Sequence, residues 1–423
     1  MKFSKVMKVV NEVFAMYNQS KLLRNIPVGL KNVGKNVRFI SIRQNDDFSL
    51  NKVLVLTKMT RYDYEKLKYK ELNSQQFENM LKARGTNLEK LKHHNILQKT
   101  NVEKIVKILI DLGSDVRVVN RKIHIFRYSY NKDAVSWADC IVPAGGDGTY
   151  LLAASLIRNR SIPVIGINSD PTRSEGYLCL PKKYSTNPKE AFEKVKSGQF
   201  QWKYRSRIRT KIVGATRMEP ELLHHEIPSY NVEKVIGKGW EDIDSNGSRT
   251  LPVLALNEVF IGETLSARVS HLELNFDNAN HFTNTKCSGI CICTGTGSTS
   301  WHYSINRIPV QTVAELLRLM DMDPTEGKNS LATVYADMYN QNLKFAPDDG
   351  RMGFSIRDLI SAGVWPDPKG LKSRGFAKKI VVKSNCDDAY IVVDGGLSFA
   401  FNDGTRAIFE MHPEDSLKTV ILD

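Results

Sequence analysis

Ala144 to Leu152 reads AGGDGTYLL, three glycines and one aspartate between two apolar runs. The preceding ADCIVPA has the composition of a short buried strand, and YLLAASLI that of a helix. The glycines therefore fall where a strand turns into a helix. Such a helix start presents unpaired N–H groups and positive dipole potential, which attract anions and phosphates in particular. Glycine lets the backbone approach an anion closely and adopt positive φ. Asp147 is the odd member, because a carboxylate beside phosphates is repulsive unless it meets a metal or takes a proton. The competing reading is a tight turn with a capping aspartate, common wherever Asp-Gly follows a strand.

Three other stretches combine polar groups with strand ends. LNEVFIGE (Leu256 to Glu263) sets an Asn-Glu pair beside an apolar run, CTGTGSTSWHYS (Cys293 to Ser304) is a Gly/Thr/Ser turn leading into Trp301, and VVDGG (Val392 to Gly396) closes a late strand. Taken singly, each has an ordinary structural meaning: a turn, a solvated loop and a hairpin signal.

The elements that must position these groups follow from pattern. VLVLTK (Val53 to Lys58), VRVV, CIVPA and PVIGIN (Pro163 to Asn168) read as strands. Helical spacing appears around Ser74 to Lys82, Val102 to Leu112 and Pro188 to Lys196. Alternating strands and helices imply a parallel α/β sheet with ligands at the strands' C-terminal ends, where Asp147 lies. After Gln201 the texture changes to RIRTKIVGA, PVLALNEVFIG, SHLELNFD, GICICTG, KIVVKSN, AYIVVDGG, AIFEMH and LKTVIL, strand-like runs separated by turn signals. The expected organisation is an α/β nucleotide-binding domain over 46–200 and a mostly β, sandwich-like domain over 201–423. His224 to Thr250 reads as a polar loop, and a helical insertion is expected near 310–345.

At 423 residues, the chain exceeds what one hydrophobic core usually serves. No apolar run approaches the length of a membrane span. The six cysteines are too few for a disulfide scaffold, and Cys287, Cys291 and Cys293 lack the paired spacing of zinc sites, so they read as small apolar fillers. The net charge of +14 is concentrated in residues 1–45, which hold nine Lys/Arg against Glu12 alone. No Arg/aromatic stripe stands out, which disfavours nucleic acid. MKFSKVMKVVNEVFAMYNQSKLLRN has apolar residues at helical spacing and lysines opposite, the pattern of a mitochondrial transit peptide, here assigned to 1–45. GLKNVGKN (Gly29 to Asn36) nearly spells a phosphate-binding loop, but Asn36 replaces the Ser/Thr that would bind Mg²⁺ and no strand leads into it. The adjacent pairs His93-His94 and His224-His225 read as solvated loop residues, since neighbouring side chains diverge.

Together, in this order and on this layout, GGDGT, LNEVFIGE, CTGTGSTSW and VVDGG resemble the NAD kinase family. The resemblance runs from about Lys52 to the C-terminus. NSDPTRSEGYLCLP (Asn168 to Pro181) and CTGTGSTSW resemble the mitochondrial branch of that family in particular. Ser288 stands where many members carry an aspartate near the nicotinamide end of the pocket.

The resemblance implies transfer of a γ-phosphoryl group from ATP, bound with Mg²⁺, onto the adenosine-ribose 2′-hydroxyl of NAD. Gly145, Gly146, Gly148 and Thr149 would shape a nest for phosphates, and Asp147 would orient the hydroxyl and accept its proton. Asn257 and Glu258 would hold the adenosine. Thr296, Ser298, Thr299 and Ser300 would line the pocket with Trp301 as a ring surface, and Asp394 joins the NAD-binding set by resemblance alone, contacting a ribose or the metal. Arg173 and Lys182 are added as cations near the strand ends, Arg173 being assigned to the triphosphate. A homodimer in the mitochondrial matrix is the implied setting. A lipid kinase of the same superfamily should lack the Asn-Glu pair and the TGTGST turn, and a non-catalytic NAD(P) sensor has no use for Asp147.

Overall fold

The computed structural model describes residues 48–120, 132–214, 221–222, 247–324, 330–360 and 371–423. The chain divides into two units, Met1–Asp47 and Phe48–Asp423, and the architecture is that of the second. The basic segment 1–45, Gly29 to Asn36 and the His224-His225 pair lie outside the described residues.

The first half alternates strands and helices. β1 (Lys52–Thr57) leads to α1 (Arg61–Lys68), α2 (Ser74–Ala83), α3 (Leu88–Asp111) and β2 (Asp115–Asn120). Then come α4 (Lys132–Trp137), β3 (Cys140–Ala144), α5 (Asp147–Ser155), α6 (Lys182–Thr186) and α7 (Pro188–Lys196). The strands lie parallel in the order β2-β1-β3. β1 and β3 are continuous apolar runs because packed cores cover both of their faces. Pro163 to Asn168 extends this sheet only through single bridges, Ile141 to Val164 and Ala144 to Ile167. Pro163 brings no N–H, and the Val164 N–H is taken by the Lys418 carbonyl. α3 starts well before its apolar spacing predicts, capped by the Asn87 side chain on the Lys90 N–H at 2.9 Å. Its front half buries Asn95 and Gln98. Both are satisfied, Asn95 by the Thr60 hydroxyl at 2.8 Å and Gln98 by the Ala144 carbonyl at 3.0 Å. Polar residues matched in this way hide a helix face from a hydrophobic count.

The second half is mostly β. It holds β4 (Gln201–Arg205), β5 (Ile208–Val213), β6 (Glu221–Leu222), β7 (Ser248–Thr250), β8 (Glu258–Glu263), β9 (Ser270–Phe276), β10 (Thr283–Cys287) and β11 (Gly289–Cys293). Helices α8 (Trp301–Asn306), α9 (Val310–Leu319) and α10 (Leu331–Gln341) follow. The chain then returns through β12 (Met352–Arg357), β13 (Arg374–Ala377), β14 (Lys379–Ser384), β15 (Ala389–Val393), β16 (Leu397–Ala400), β17 (Arg406–Met411) and β18 (Leu417–Ile421). Two antiparallel sheets, ordered β10-β9-β14-β17-β5-β7 and β13-β12-β11-β8-β15-β16-β6, share one core. Ile212, Leu272, Ile380 and Phe409 from the first meet Ile261, Ile292, Phe354 and Ile391 from the second. That is a sandwich, as the alternating runs require.

Three findings depart from the sequence reading. The predicted polar loop ends in a strand, β7, which pairs with β5. β10, β12 and β13 carry weaker alternation and emerge only through pairing with β9, β11 and each other. β18 pairs with β4, and its Leu417 and Val420 enter the cores around the parallel sheet. The helical insertion is a hairpin of α9 and α10 with a small core of Val313, Leu317, Ala332 and Ala336. Cys287, Cys291 and Cys293 are free and buried, with thiols pushed up by burial, in keeping with their role as fillers.

Candidate active site

Asp147 is the first residue of α5, one step past Gly146, which stands at the helix cap with φ −89° and ψ −168°. Its carboxylate does not cap the helix. It accepts the N–H of Tyr177 at 3.1 Å and of Leu178 at 2.8 Å, reaching across to the segment after Gly176. Each oxygen keeps a further lone pair for another group. The capping reading of Asp147 therefore fails on geometry.

The glycines matter through space rather than through φ. The sequence suggests positive φ for them, yet Gly145, Gly146 and Gly148 all avoid it. A Cβ on Gly145 would fall 2.3 Å from the Thr149 hydroxyl, and one on Gly146 would fall 2.7 Å from the Ser174 hydroxyl. Gly148 faces open space. The Gly145 N–H is taken by the Ile167 carbonyl and the Thr149 N–H by Gly146. The N–H groups left to meet a phosphate are thus those of Gly146, Asp147 and Gly148, with Thr149 packed beneath them. At the other end of α5, the buried Arg207 donates to the carbonyls of Ala154 and Ile157, so a cation answers the negative end of the dipole.

The Asn-Glu pair lies beside this loop. Leu256 packs in the same core as Tyr150, Ala153 and Leu178. The Thr294 N–H donates to the Asn257 carbonyl at 2.9 Å, and the Thr294 hydroxyl donates to the Leu256 carbonyl. A Cβ on Gly297 would fall 2.0 Å from the Asn257 carbonyl, and one on Gly295 would fall 1.7 Å from that of Ala346. Backbone contact this close explains glycine in the TGTG turn. Thr296 accepts from the Arg205 guanidinium at 3.3 Å, and Arg205 also acts on Tyr150 and Cys179. Arg205 therefore ties the turn to the Asp147 loop.

Ser174 Oγ, Arg205 Nε, Asn257 Oδ1 and Glu258 Oε2 are buried without a hydrogen-bond partner. Buried polar atoms are normally satisfied. These four fall on the Ser174 segment, β4 and the Asn-Glu segment, whose Leu256 packs in the core with Leu178 and Tyr150, so they are groups a polar ligand could satisfy. Burial, then the nearby Asp394 charge, pushes the Glu258 carboxyl up to about 8. Cys179 sits with its thiol against the Gly145 carbonyl and near Asp147, pushed up to about 12 by burial.

The other expected site residues separate. Thr299 is exposed, its hydroxyl donating to the Thr296 carbonyl at 3.2 Å, and Ser300 is half-buried with its side chain against Glu258. Trp301 keeps 36% of its surface exposed while its ring packs on Phe260 at 4.7 Å. It borders a cavity of about 750 Å³ lined by Asn306, Arg357, Asp358 and Leu371. Ser298 departs from a pocket-lining role: it is fully buried, donating to the Gly295 carbonyl at 2.7 Å and accepting the Phe345 N–H at 3.1 Å. It shapes the turn. Asp394 gives its carboxylate to three backbone N–H groups of Leu256 to Glu258. Lys182 is paired with Glu175 at 2.9 Å. Arg173 is exposed and lies near Lys58, whose ammonium burial makes easier to deprotonate. His94 is no solvated loop residue; it projects from α3 onto the buried Asp170 at 3.2 Å. Ser174, Arg205 and Arg207 escape a reading of the sequence, because a serine or arginine in an ordinary context carries no local signal.

Known proteins resemble the chain along most of its length. Residues 61–177 match the family model described as the ATP-NAD kinase N-terminal domain. The chain is 39% identical over 389 residues to "NAD kinase 2, mitochondrial" of Rattus norvegicus, covering 89% of this chain and 88% of that one. Against the protein of the same name from Homo sapiens, identity is 38% over 394 residues, covering 90% and 86%. An NAD kinase from Archaeoglobus fulgidus, solved in complex with ATP, aligns with a TM-score of 0.46 and 16% identity over 87% of this chain and 92% of that one. By the identity to these curated relatives, with the Asp147 loop inside the matched family domain, the chain belongs to the NAD kinase family.

Proposed function

We propose that this chain transfers the γ-phosphoryl group of ATP to the 2′-hydroxyl of NAD's adenosine ribose, releasing NADP and ADP. The observation that carries the reading is Asp147: a carboxylate at a glycine-walled helix start, held by two N–H bonds and not used as a cap. The ribose oxygen attacks phosphorus, the bond to the β-phosphate oxygen breaks, and Asp147 accepts the hydroxyl proton. Such transfers rest on alignment and charge stabilisation more than on covalent help. The free N–H groups at the start of α5 meet phosphate oxygens, and Arg173 supplies outer positive charge. Asn257 and Glu258 hold the adenosine through their unpartnered oxygens. Thr299, Ser300 and Trp301 line the dinucleotide's path, with Thr296 and Ser298 setting the turn.

Mg²⁺ enters as part of the donor substrate, where its charge offsets that of the phosphates. Among the described residues no three His, Cys, Asp or Glu side chains converge. No helix among the described residues is long and apolar enough to cross a membrane. The relatives' names are mitochondrial, and together with the basic amphipathic segment 1–45 they support a cleaved transit peptide and a matrix enzyme. The functional arrangement is an α/β domain over 46–200, a mostly β domain over 201–423 and a homodimer. Deleting residues 1–45 should leave activity intact and abolish import; an aggregated truncation would place the segment in the fold. The deciding assay incubates purified protein with ATP-Mg²⁺ and either NAD or diacylglycerol. NADP is the expected product, and phospholipid phosphorylation without NADP would overturn the reading.

A further inference from the structure

Asp394 lies immediately after β15, at φ 48°, a left-handed conformation that aspartate adopts more readily than most residues. Its Oδ2 accepts the Leu256 N–H at 2.8 Å, and its Oδ1 accepts those of Asn257 at 2.8 Å and Glu258 at 3.0 Å. In return, the Asp394 N–H donates to the Glu258 carbonyl at 3.0 Å. The β8–β15 ladder ends at the pair Val259 and Val393. Beyond that point a side chain takes over the work of the sheet and gathers three successive N–H groups. The consequence is specific: the backbone donors of the Asn-Glu segment are absorbed, while Asn257 Oδ1 and Glu258 Oε2 remain buried and uncommitted.

We propose that Asp394 is a positioning residue, a clamp on the Leu256–Glu258 backbone that presents the Asn257 and Glu258 side chains to NAD without itself touching the dinucleotide. The inference rests on the NAD kinase reading, and it replaces the direct NAD contact that resemblance assigns to Asp394.

The clamp also sets the charge around Glu258. Asp394 faces Glu258 from the end of β15, Cys291 and Cys293 from β11, and Ser300 from the turn before α8; Arg207 acts on Asp394 and Arg357 on Cys291. Burial raises the Asp394 carboxyl to about 6, against the pull of its three N–H bonds. Burial thus favours a proton on Glu258, while the three N–H bonds favour the anion of Asp394 beside it. A protonated carboxyl offers one donor and one acceptor, which suits a ribose hydroxyl or the edge of adenine. Affinity for NAD falls as the pH rises through the Glu258 transition.

The test uses the full purified chain and initial rates with NAD and ATP-Mg²⁺ varied from neutral to mildly alkaline pH. Asp394→Asn keeps the size but loses the anion and turns a donor toward backbone donors. It should raise the KM for NAD by about ten- to a hundredfold, the worth of one hydrogen bond to a charged group. The KM for ATP should stay within about threefold of wild type, since the donor does not use the adenosine contacts of NAD. The alkaline inflection in the KM for NAD should move to lower pH, because a neighbouring negative charge no longer opposes ionisation of Glu258. Glu258→Gln should abolish that inflection. A raised KM for NAD with the inflection unmoved would show that Asp394 does not set the charge at Glu258 and overturn the proposal. So would a uniform loss in all constants with a lowered melting temperature, or no change at all. Wild-type protein that makes no NADP would instead refute the kinase reading, and calorimetric NAD binding by the same variants would still read the clamp.

Discussion

Changing Asp147 to Asn removes the proton acceptor while keeping the shape of the side chain, and the structure separates two consequences. The first is structural. The carboxylate accepts the Tyr177 N–H at 3.1 Å and the Leu178 N–H at 2.8 Å on different oxygens. An amide has one oxygen and one NH₂, so one of these N–H groups loses its acceptor and faces a donor. Hydrogen bonds to a charged group contribute about 1.5–3 kcal/mol, so stability should fall by about that much. A unit this large should melt only a few degrees lower. The second consequence is chemical. Loss of a general base costs roughly two to four orders of magnitude in kcat. That is about 3–5 kcal/mol in the barrier, and it should appear at a temperature well below the melt, where the variant is fully folded. Calorimetry should find NAD and ATP binding nearly as in wild type, because the orphaned oxygens of Asn257 and Glu258 and the N–H groups of α5 are unchanged. Coupled detection of NADP gives turnover. A folded Asp147→Asn variant that keeps near-normal kcat would refute the base. A loss of kcat matched by a loss of NAD binding would show that Asp147 holds substrate rather than taking its proton.

Asn257→Ala should raise the KM for NAD more than that for ATP in steady-state kinetics, and a rise in the ATP constant alone would move the pair to the donor side. Gly145→Ala must displace the Thr149 side chain, whereas Gly148→Ala meets open space; melting curves should show the first destabilised and the second unchanged or raised by about 0.5–1 kcal/mol. His302 is buried against the Ser355 hydroxyl at 3.1 Å, and burial lowers its transition from 6.5 to about 4. The unfolded chain then binds the extra proton between those values, so stability present above about pH 6.5 is lost as the pH falls toward 4, at about 1.4 kcal/mol per unit. Urea melts at neutral and mildly acid pH should show that slope, and His302→Phe should flatten it.

Much of the site was legible from sequence because its logic is local. A buried strand, a glycine-rich turn and a helix start are adjacent in the chain, so AGGDGTYLL alone places a carboxylate beside free N–H groups at the end of β3. Family-specific order among GGDGT, NE, TGTGST and VVDGG did the rest, and the split between parallel α/β and sandwich followed from the change in period after Gln201. What needed the tertiary structure was every role defined by a distant partner. Asp147 meets Tyr177 and Leu178 about thirty residues on, Arg205 bridges to Thr296, and β18 returns from the C-terminus to β4. Asp394 looks like a ligand-facing hairpin aspartate in sequence, and becomes a backbone clamp only when β15 lies against β8. Glycine shows the same division. Its presence at 145 and 146 is visible in the sequence, but the reason for it is a hydroxyl brought close by folding, with no demand on φ. Local chemistry depends on neighbours in the chain, which a sequence displays; burial, orphaned acceptors and shifted proton affinities depend on neighbours in space, which only packing creates.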